Sequence, residues 1–473
     1  MKNLKTGMFF TTIGVYSNFL LQLIINAVLS RLLTPAEYGI VAIIQVFIVF
    51  FSMMIEAGMG PAIIQNKRLS EEDIKILFNY SIIFALAVAV IFGLFGHVLA
   101  LVYNNDIYKT LTWVQAISVL FNGMNIVPSA LLNKSKRFKQ VNFSLVIGNI
   151  MAGIVGVGLA FLHFGVYALI ISAIISSIVN FSFNAYFTKV RFSKKFDLTP
   201  LKEIWEFSKN QFAFNFINYF SRNSDNILVG KFMGEVALAN YSKAYQLLML
   251  PNTLFLGIIN PVLQPVLSDY QDNVSYIRDI YYKIVHILAL IGIPLSIFLS
   301  LSSKQIIFFL FGSQWEQAVT PFAILALTVW VQMTLSSSGA IFQSRNQPRL
   351  LFNTGVISAI IIVGSIIVGI FAGTITSVAI SLSVGFVINF FINFRRVVKI
   401  SLEGSMLKFL AEFKSPCYLG ILTFIVLEVI SIFEPQNIFF VLVIRGIGLI
   451  VTMLLYITLT KEKNLIQEIL RSK

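Results

Sequence analysis

The chain has 473 residues, 57% of them hydrophobic and 12% charged, with a mean hydropathy of +0.84 and a net charge of +14. A water-soluble domain of this size cannot hide so much apolar surface, which leaves a polytopic membrane protein as the class. The positive balance does not point to nucleic acid, because the basic residues sit in short loops between apolar stretches, the pattern of the positive-inside rule.

The run after Met1-Lys-Asn-Leu-Lys5 resembles a signal peptide. It continues to Leu29 with amides inside it and no small-residue cleavage site, so we read an uncleaved first helix. Apolar stretches of the length needed to cross about 30 Å of hydrocarbon then recur along the chain. They lie at 7–30, 39–63, 76–102, 110–132, 142–163, 165–188, 208–230, 237–263, 281–302, 317–342, 351–371, 373–394, 415–433 and 437–459. A shorter piece, 303–312, reads as an interfacial helix. Of the 35 Lys and Arg residues, 28 fall on one side of this alternation, only Arg31, Lys109, Lys231 and Lys304 on the other, and Arg222, Lys243 and Arg445 within spans. The expected fold is therefore all-α, with fourteen transmembrane helices and both termini cytoplasmic.

Two amphipathic linkers divide the chain. The expected parts are a six-helix lobe at 1–190, a linker at 191–207, a second six-helix lobe at 208–395, a linker at 396–414, helices 13 and 14 at 415–460, and a cytoplasmic tail at 461–473. Six is even, so the lobes share one orientation, related by a pseudo-two-fold axis along the membrane normal.

Two spans carry polar stripes where lipid would demand apolar ones. Gln211, Asn215, Asn218, Arg222 and Asn226 are spaced 4, 3, 4 and 4, one face of a helix. Asn18, Gln22 and Asn26 stand 200 positions before Asn218, Arg222 and Asn226. An ionisable residue at a span centre costs about 2.5–3.5 kcal/mol on insertion scales, so Arg222 is expected to face a cavity or a partner. Matching polar faces in a repeated membrane protein imply a water-filled interior, the arrangement of a transporter. One cysteine, Cys417, and three scattered histidines, His97, His163 and His286, exclude a disulfide framework and give no sign of a metal site. No cofactor is expected.

Several short motifs resemble the polysaccharide-transport (Wzx-type) branch of the multidrug/oligosaccharidyl-lipid/polysaccharide exporter superfamily. They are Leu32-Leu-Thr-Pro35-Ala-Glu37-Tyr38-Gly39, Gly58-Met-Gly60-Pro-Ala-Ile-Ile-Gln65, Asp225-Asn226-Ile-Leu-Val-Gly-Lys231, Leu238-Ala-Asn240-Tyr241-Ser-Lys-Ala244-Tyr245 and Pro261-Val-Leu-Gln-Pro265-Val-Leu-Ser268. Their order and the 6 + 6 + 2 arrangement carry the resemblance over the whole chain. It implies a flippase that moves undecaprenyl-diphosphate-linked oligosaccharides across a bacterial plasma membrane by alternating access. Membrane lipids, a polysaccharide polymerase and export proteins are its expected partners.

On this reading Asn18, Gln22, Asn26, Asn215, Asn218 and Asn226 offer donors and acceptors to sugar hydroxyls, and the Arg222 fork fits the diphosphate. Lys243 adds positive charge at the outer end of the cleft. Asp225, three residues after Arg222, and Glu56, near the outer end of helix two, are candidate ion-coupling groups. The other reading of the amides is interhelical glue; a stripe four turns long favours the cleft. Glu428 and Arg445 are expected to pair across the final hairpin.

The chain is not expected to be an enzyme. Polymerases and ligases of glycans need acid/base groups on a substantial outside loop, every outside loop here is short, and no Walker loop is present. A cation-coupled drug antiporter of the same superfamily and a peptidoglycan-precursor flippase are the alternatives. The topology has a direct check: single cysteines at Lys67, Lys136, Lys195, Arg345 and Lys463, in a background without Cys417, should resist an impermeant thiol reagent in intact cells. Labelling at Lys136 or Lys195 would overturn it.

Overall fold

Peptide groups inside a bilayer have no water to bond, so a spanning chain closes its hydrogen bonds along helices. All regular structure among the described residues of the computed structural model is helical. The structure describes the chain except residues 1, 57–58, 67, 203–218, 220–222, 269, 272, 461 and 465–473, and for 2–15, 255–266 and 268 it describes the backbone alone. By packing the chain forms two compact units, Met1–Ala239 and Asn240–Lys473.

The first unit contains α1 (Lys2–Leu32), α2 (Pro35–Glu56), α3 (Met59–Gln65), α4 (Glu71–Tyr103), α5 (Ile107–Met124), α6 (Ile126–Lys134), α7 (Phe138–Phe161), α8 (Val166–Thr188), α9 (223–233) and the start of α10 (Glu235–Ser268). Its main pairings are α4 with α5, α7 with α8, and α1 with α7. Ser144, Gly148, Ala152, Gly156 and Ala160 recur every four residues on α7 and are all buried. This small-residue stripe lets the α8 backbone come close, the membrane substitute for a hydrophobic drive. At Gly148 a Cβ would stand 2.9 Å from the Asn180 amide.

The Leu32–Gly39 motif has a structural meaning. Thr34 caps α2: its hydroxyl accepts from the Glu37 N–H at 3.4 Å, while the Glu37 carboxylate accepts from the Thr34 N–H at 2.7 Å. Pro35 occupies the first helical position, where no N–H is needed, completing a capping box. Gly39 then packs on the start of α10, where a Cβ would lie 2.0 Å from the Glu235 carbonyl oxygen. The Glu235 carboxylate accepts from Tyr108 at 2.6 Å and Asn105 at 2.9 Å. Lys231 donates to the Val102 carbonyl. In the linker, the Thr199 N–H and hydroxyl hold the Asp197 carboxyl below its ordinary range.

The second unit contains α11 (Val274–Leu301), α12 (Ser303–Leu310), a 3₁₀ turn (Ser313–Ala318), α13 (Val319–Ala326), α14 (Val329–Leu335), α15 (Ser338–Ser344), α16 (Pro348–Phe371), α17 (Ile375–Arg396), a π turn (Val397–Ser401), α18 (Met406–Ala411), α19 (Lys414–Ile432) and α20 (Ile438–Leu459). α11 is its hub, touching α12, α13, α14, α19 and α20. α18 behaves as an amphipathic linker: Phe409 is buried against Phe394, Phe413 and Tyr282, while Leu407 is 81% exposed.

Among the described residues ten helices are long and apolar enough to cross a membrane, or eleven if one bent pair is a single span. The ten correspond to the expected spans at 39–63, 76–102, 110–132, 142–163, 165–188, 281–302, 351–371, 373–394, 415–433 and 437–459. The expected spans at 7–30 and 237–263 fall on α1 and α10, and most of 208–230 lies outside the described residues. The expected span at 317–342 is not one straight rod. It is broken between α13 and α14, with a bend of 52°, and again before α15. The cause is a run of hydroxyls bonding back to their own helix: Thr328 to Leu325, Thr334 to Trp330, Ser336 to Met333 and Ser337 to Thr334, at 2.7–2.9 Å. The 303–312 piece is the short α12, as expected.

The final hairpin corrects one expected pairing. Arg445 bonds Glu434, not Glu428, and also donates to the Leu301 carbonyl at 2.5 Å. Glu428 is exposed. Glu434 lies in the turn itself, where the chain can fold its carboxylate back onto the buried guanidinium. Breaking a buried pair from one side strands the other charge, so Arg445→Ala is expected to cost about 3 kcal/mol. Glu428→Gln should stay within about 0.5 kcal/mol. Thermal unfolding of the solubilised protein distinguishes them, and equal effects would refute the assignment.

Candidate polar transport face

Asn18, Gln22 and Asn26 follow one another by one turn on α1, and the structure gives them different surroundings. Asn18 accepts a hydrogen bond from Asn149 of α7, whose side-chain oxygen accepts from Ser176 of α8 at 3.2 Å. Asn180, one turn further, reaches Ser176 at 3.4 Å, and its own oxygen is buried with no partner among the described residues. An amide and hydroxyl chain thus crosses three helices, from α1 through α7 to α8. Asn26 is held near the end of α1, accepting from Ser30 at 3.1 Å and from the Tyr38 hydroxyl of α2 at 3.4 Å. Both amides therefore knit helices together.

Gln22 is exposed. An apolar row of the same helix, Leu20, Ile24 and Val28, is also exposed and spaced four apart. At about 100° per residue Gln22 points roughly opposite that row. α1 is therefore open on two faces, one apolar and one bearing an amide. That second face is the observation a packed structural helix does not explain.

Of the expected stripe from Gln211 to Asn226, Gln211, Asn215, Asn218 and Arg222 lie outside the described residues. Asn226 is half-buried, and its backbone N–H bonds the Asp225 carboxylate at 2.8 Å. Asp225 is buried at 3% exposure. Lys243 of α10 is buried, its ammonium 4.6 Å from the centre of the Phe311 ring and 5.0 Å from that of Trp315. Aromatic faces substitute in part for the lost water around such a cation.

Glu56 is exposed, the last described residue of α2 before residues 57–58. Its expected position needs correcting. It is much nearer Gln65, where the span runs into the basic segment Lys67-Arg68, than Pro35, where it starts. On the expected topology, with the basic loops inside, this position falls in the inner half of the span rather than at its outer end.

Sequence reasoning missed Asn149, Ser176 and Asn180, along with Phe311 and Trp315. A signal existed on α8, where Ser176, Asn180 and Asn184 recur every four residues in an apolar span. Asn184 joins a second polar chain, accepting from Ser144 at 2.6 Å and donating to Asn125 at 2.9 Å. No comparable signal ties Phe311 and Trp315 to Lys243, because that contact joins segments far apart in the chain.

A helical, many-span membrane protein with amide-rich faces inside apolar helices has the build of a transporter of polar cargo. The chain belongs to the polysaccharide biosynthesis protein family, whose model matches residues 28–320. This bears out the resemblance drawn from the short motifs. The chain is 25% identical to the teichuronic acid biosynthesis protein TuaB of Bacillus subtilis, over 74% of this chain and 73% of TuaB. It is 22% identical to the lipopolysaccharide biosynthesis protein WzxC of Escherichia coli, over 74% of this chain and 71% of WzxC. Its fold matches that of the lipid II flippase MurJ in an inward closed conformation, with a TM-score of 0.78, 16% identity, and coverage of 96% of this chain and 99% of MurJ.

The contrast between Asn149 and Gln22 can be measured. Asn149→Ala removes bonds to two helices and should destabilise the protein by about 0.5–2 kcal/mol, read as a lower melting temperature in detergent. Gln22→Ala should leave the melting temperature unchanged. A destabilised Gln22→Ala protein would show that this amide is packing after all.

Proposed function

We propose that this chain is a flippase that carries undecaprenyl-diphosphate-linked oligosaccharide units from the inner to the outer leaflet of a bacterial plasma membrane, for surface polysaccharide export. The observation that carries the reading is Gln22. It is an exposed amide roughly opposite the exposed apolar row Leu20, Ile24 and Val28 of α1, in a chain of the polysaccharide biosynthesis family. Membership of that family and the MurJ-like fold support it.

In this proposal the chain has fourteen spans with both termini cytoplasmic. Lobes at 1–190 and 208–395 alternate access to a shared cleft, and the helix pair at 415–460 follows them. Gln22, with Asn215, Asn218 and Asn226, meets sugar hydroxyls through neutral hydrogen bonds, each contributing about 0.5–1.5 kcal/mol. Weak, replaceable bonds suit a carrier, which must release its cargo as readily as it takes it. Arg222 holds the diphosphate through paired donors, and Lys243 adds charge for the same headgroup. Asn18 and Asn26 shape the face through their helix contacts. Asp225 and Glu56 remain the coupling candidates, Glu56 from the cytoplasmic half. The cargo crosses intact, so no residue is assigned a catalytic role.

The test is complementation of glycan export in a flippase-null strain, with membrane abundance quantified in parallel. Arg222→Ala should abolish export at normal abundance and Arg222→Lys should retain part of it, since a lysine imitates only one prong of the fork. Gln22→Ala should weaken export severalfold. Normal export by Arg222→Ala at normal abundance would remove Arg222 from the site.

A further inference from the structure

His286 sits on α11 and is buried, with two carboxylates closing on its ring. Nε2 is 2.8 Å from Glu462, in the segment after α20. Nδ1 is 3.2 Å from Glu412, just before α19, within ion-pairing reach though not aligned for a full hydrogen bond. The second oxygen of Glu462 accepts from Ser415 at 2.6 Å. Tyr456 of α20 bonds both the Ser415 hydroxyl, at 3.0 Å, and its carbonyl, at 3.1 Å. One imidazole is thereby gripped from both ends of the last helix pair.

Proton counting decides what this cluster is. A neutral imidazole has one N–H and one lone pair, and an ionised carboxylate only accepts. With both carboxylates ionised, a neutral ring would turn a lone pair toward one of them at close range. Both contacts are attractive only if the three groups together hold one extra proton. Free carboxylic acids titrate near about pH 4 and imidazole near about pH 6.5, so the proton belongs on the ring. The trio then carries a net charge of −1.

Among the described residues, the other ionisable groups around α11 are placed as follows. α13 and α14 carry no ionisable side chain. α12 brings Lys304, α19 Glu428 and α20 Arg445, all toward the other end of α11, where Arg445 meets Leu301. Near His286, Lys414 and Lys463 are exposed, and Arg278 pairs with Asp279 at 3.6 Å. Tyr281 bonds Ser337 and Tyr282 the Ser405 carbonyl. Lys283, one turn back on α11, is half-buried.

We propose that His286, Glu412 and Glu462 form a proton-binding site that fastens the α19–α20 pair to α11. When the proton leaves to solvent, the ring turns neutral and the Glu412 contact becomes repulsive, so the clamp weakens as pH rises. The site is independent of the cargo and of Arg222.

The experiment uses the full-length protein in nanodiscs with ¹⁵N-labelled histidine; the chain has three histidines, and His286→Gln assigns the signal. At about pH 7.5 the ordinary imidazole is neutral, whereas His286 should show two protonated ring nitrogens. Glu412→Gln supplies an amide N–H to Nδ1 without an extra proton, so His286 should turn neutral there. Its melting temperature should also lose the fall expected of the unmodified protein between about pH 6 and about pH 9. Should Glu412→Gln fail to fold, Glu462→Gln and the titration of the unmodified protein give the same reading. A neutral His286 ring in the unmodified protein at about pH 7.5, or a ring state unchanged by Glu412→Gln, would overturn the site.

Discussion

A bilayer offers no water to a polar group, and each one buried within it must find its partner inside the protein. That constraint governs everything polar in this chain. It makes the spans helical, and it bends α13–α15 where hydroxyls turn back on their own carbonyls. It also sends Arg445 to both a carboxylate and a backbone carbonyl. The same rule threads Asn18, Asn149 and Ser176 into one chain across α1, α7 and α8.

Helix association needs a second device, since lipid tails are as apolar as leucine. On α7 it is the stripe from Ser144 to Ala160, small enough at every fourth position for α8 to approach. At Gly39 it is the absence of a side chain where α2 meets the start of α10. The Leu32–Gly39 motif thus joins a cap, a fixed first turn and a close backbone approach in eight residues. Its presence in the chain is explained by architecture, without invoking contact with cargo.

Ten of the expected spans were legible because hydropathy is a local property that leaves its mark residue by residue. The short α12 was legible for the same reason. Partner choice was not. Glu428 and Arg445 look matched when counted along two straight helices, but the turn lets Glu434 fold back and reach Arg445 first. Asn18 and Asn26 read as cleft residues because periodicity gives a face without saying what covers it. Asn149, 131 positions away from Asn18, covers part of it. Lys243 was singled out for its charge, but its aromatic neighbours Phe311 and Trp315 are long-range and left no pattern to find.

A face that binds cargo and a face that packs helices use the same side chains, so composition alone cannot tell them apart. Saturation can. Asn18 and Asn26 spend bonding capacity on neighbouring helices, and their loss would register first as lost stability. Gln22 lies one turn from each, exposed and roughly opposite the exposed apolar row Leu20, Ile24 and Val28. An amide left open in a membrane helix is costly unless water or a hydrated ligand reaches it. Asn18 and Asn26 are thus held by α7 and α2, while Gln22 between them stays exposed, so one stripe of amides divides between helix packing and an open position.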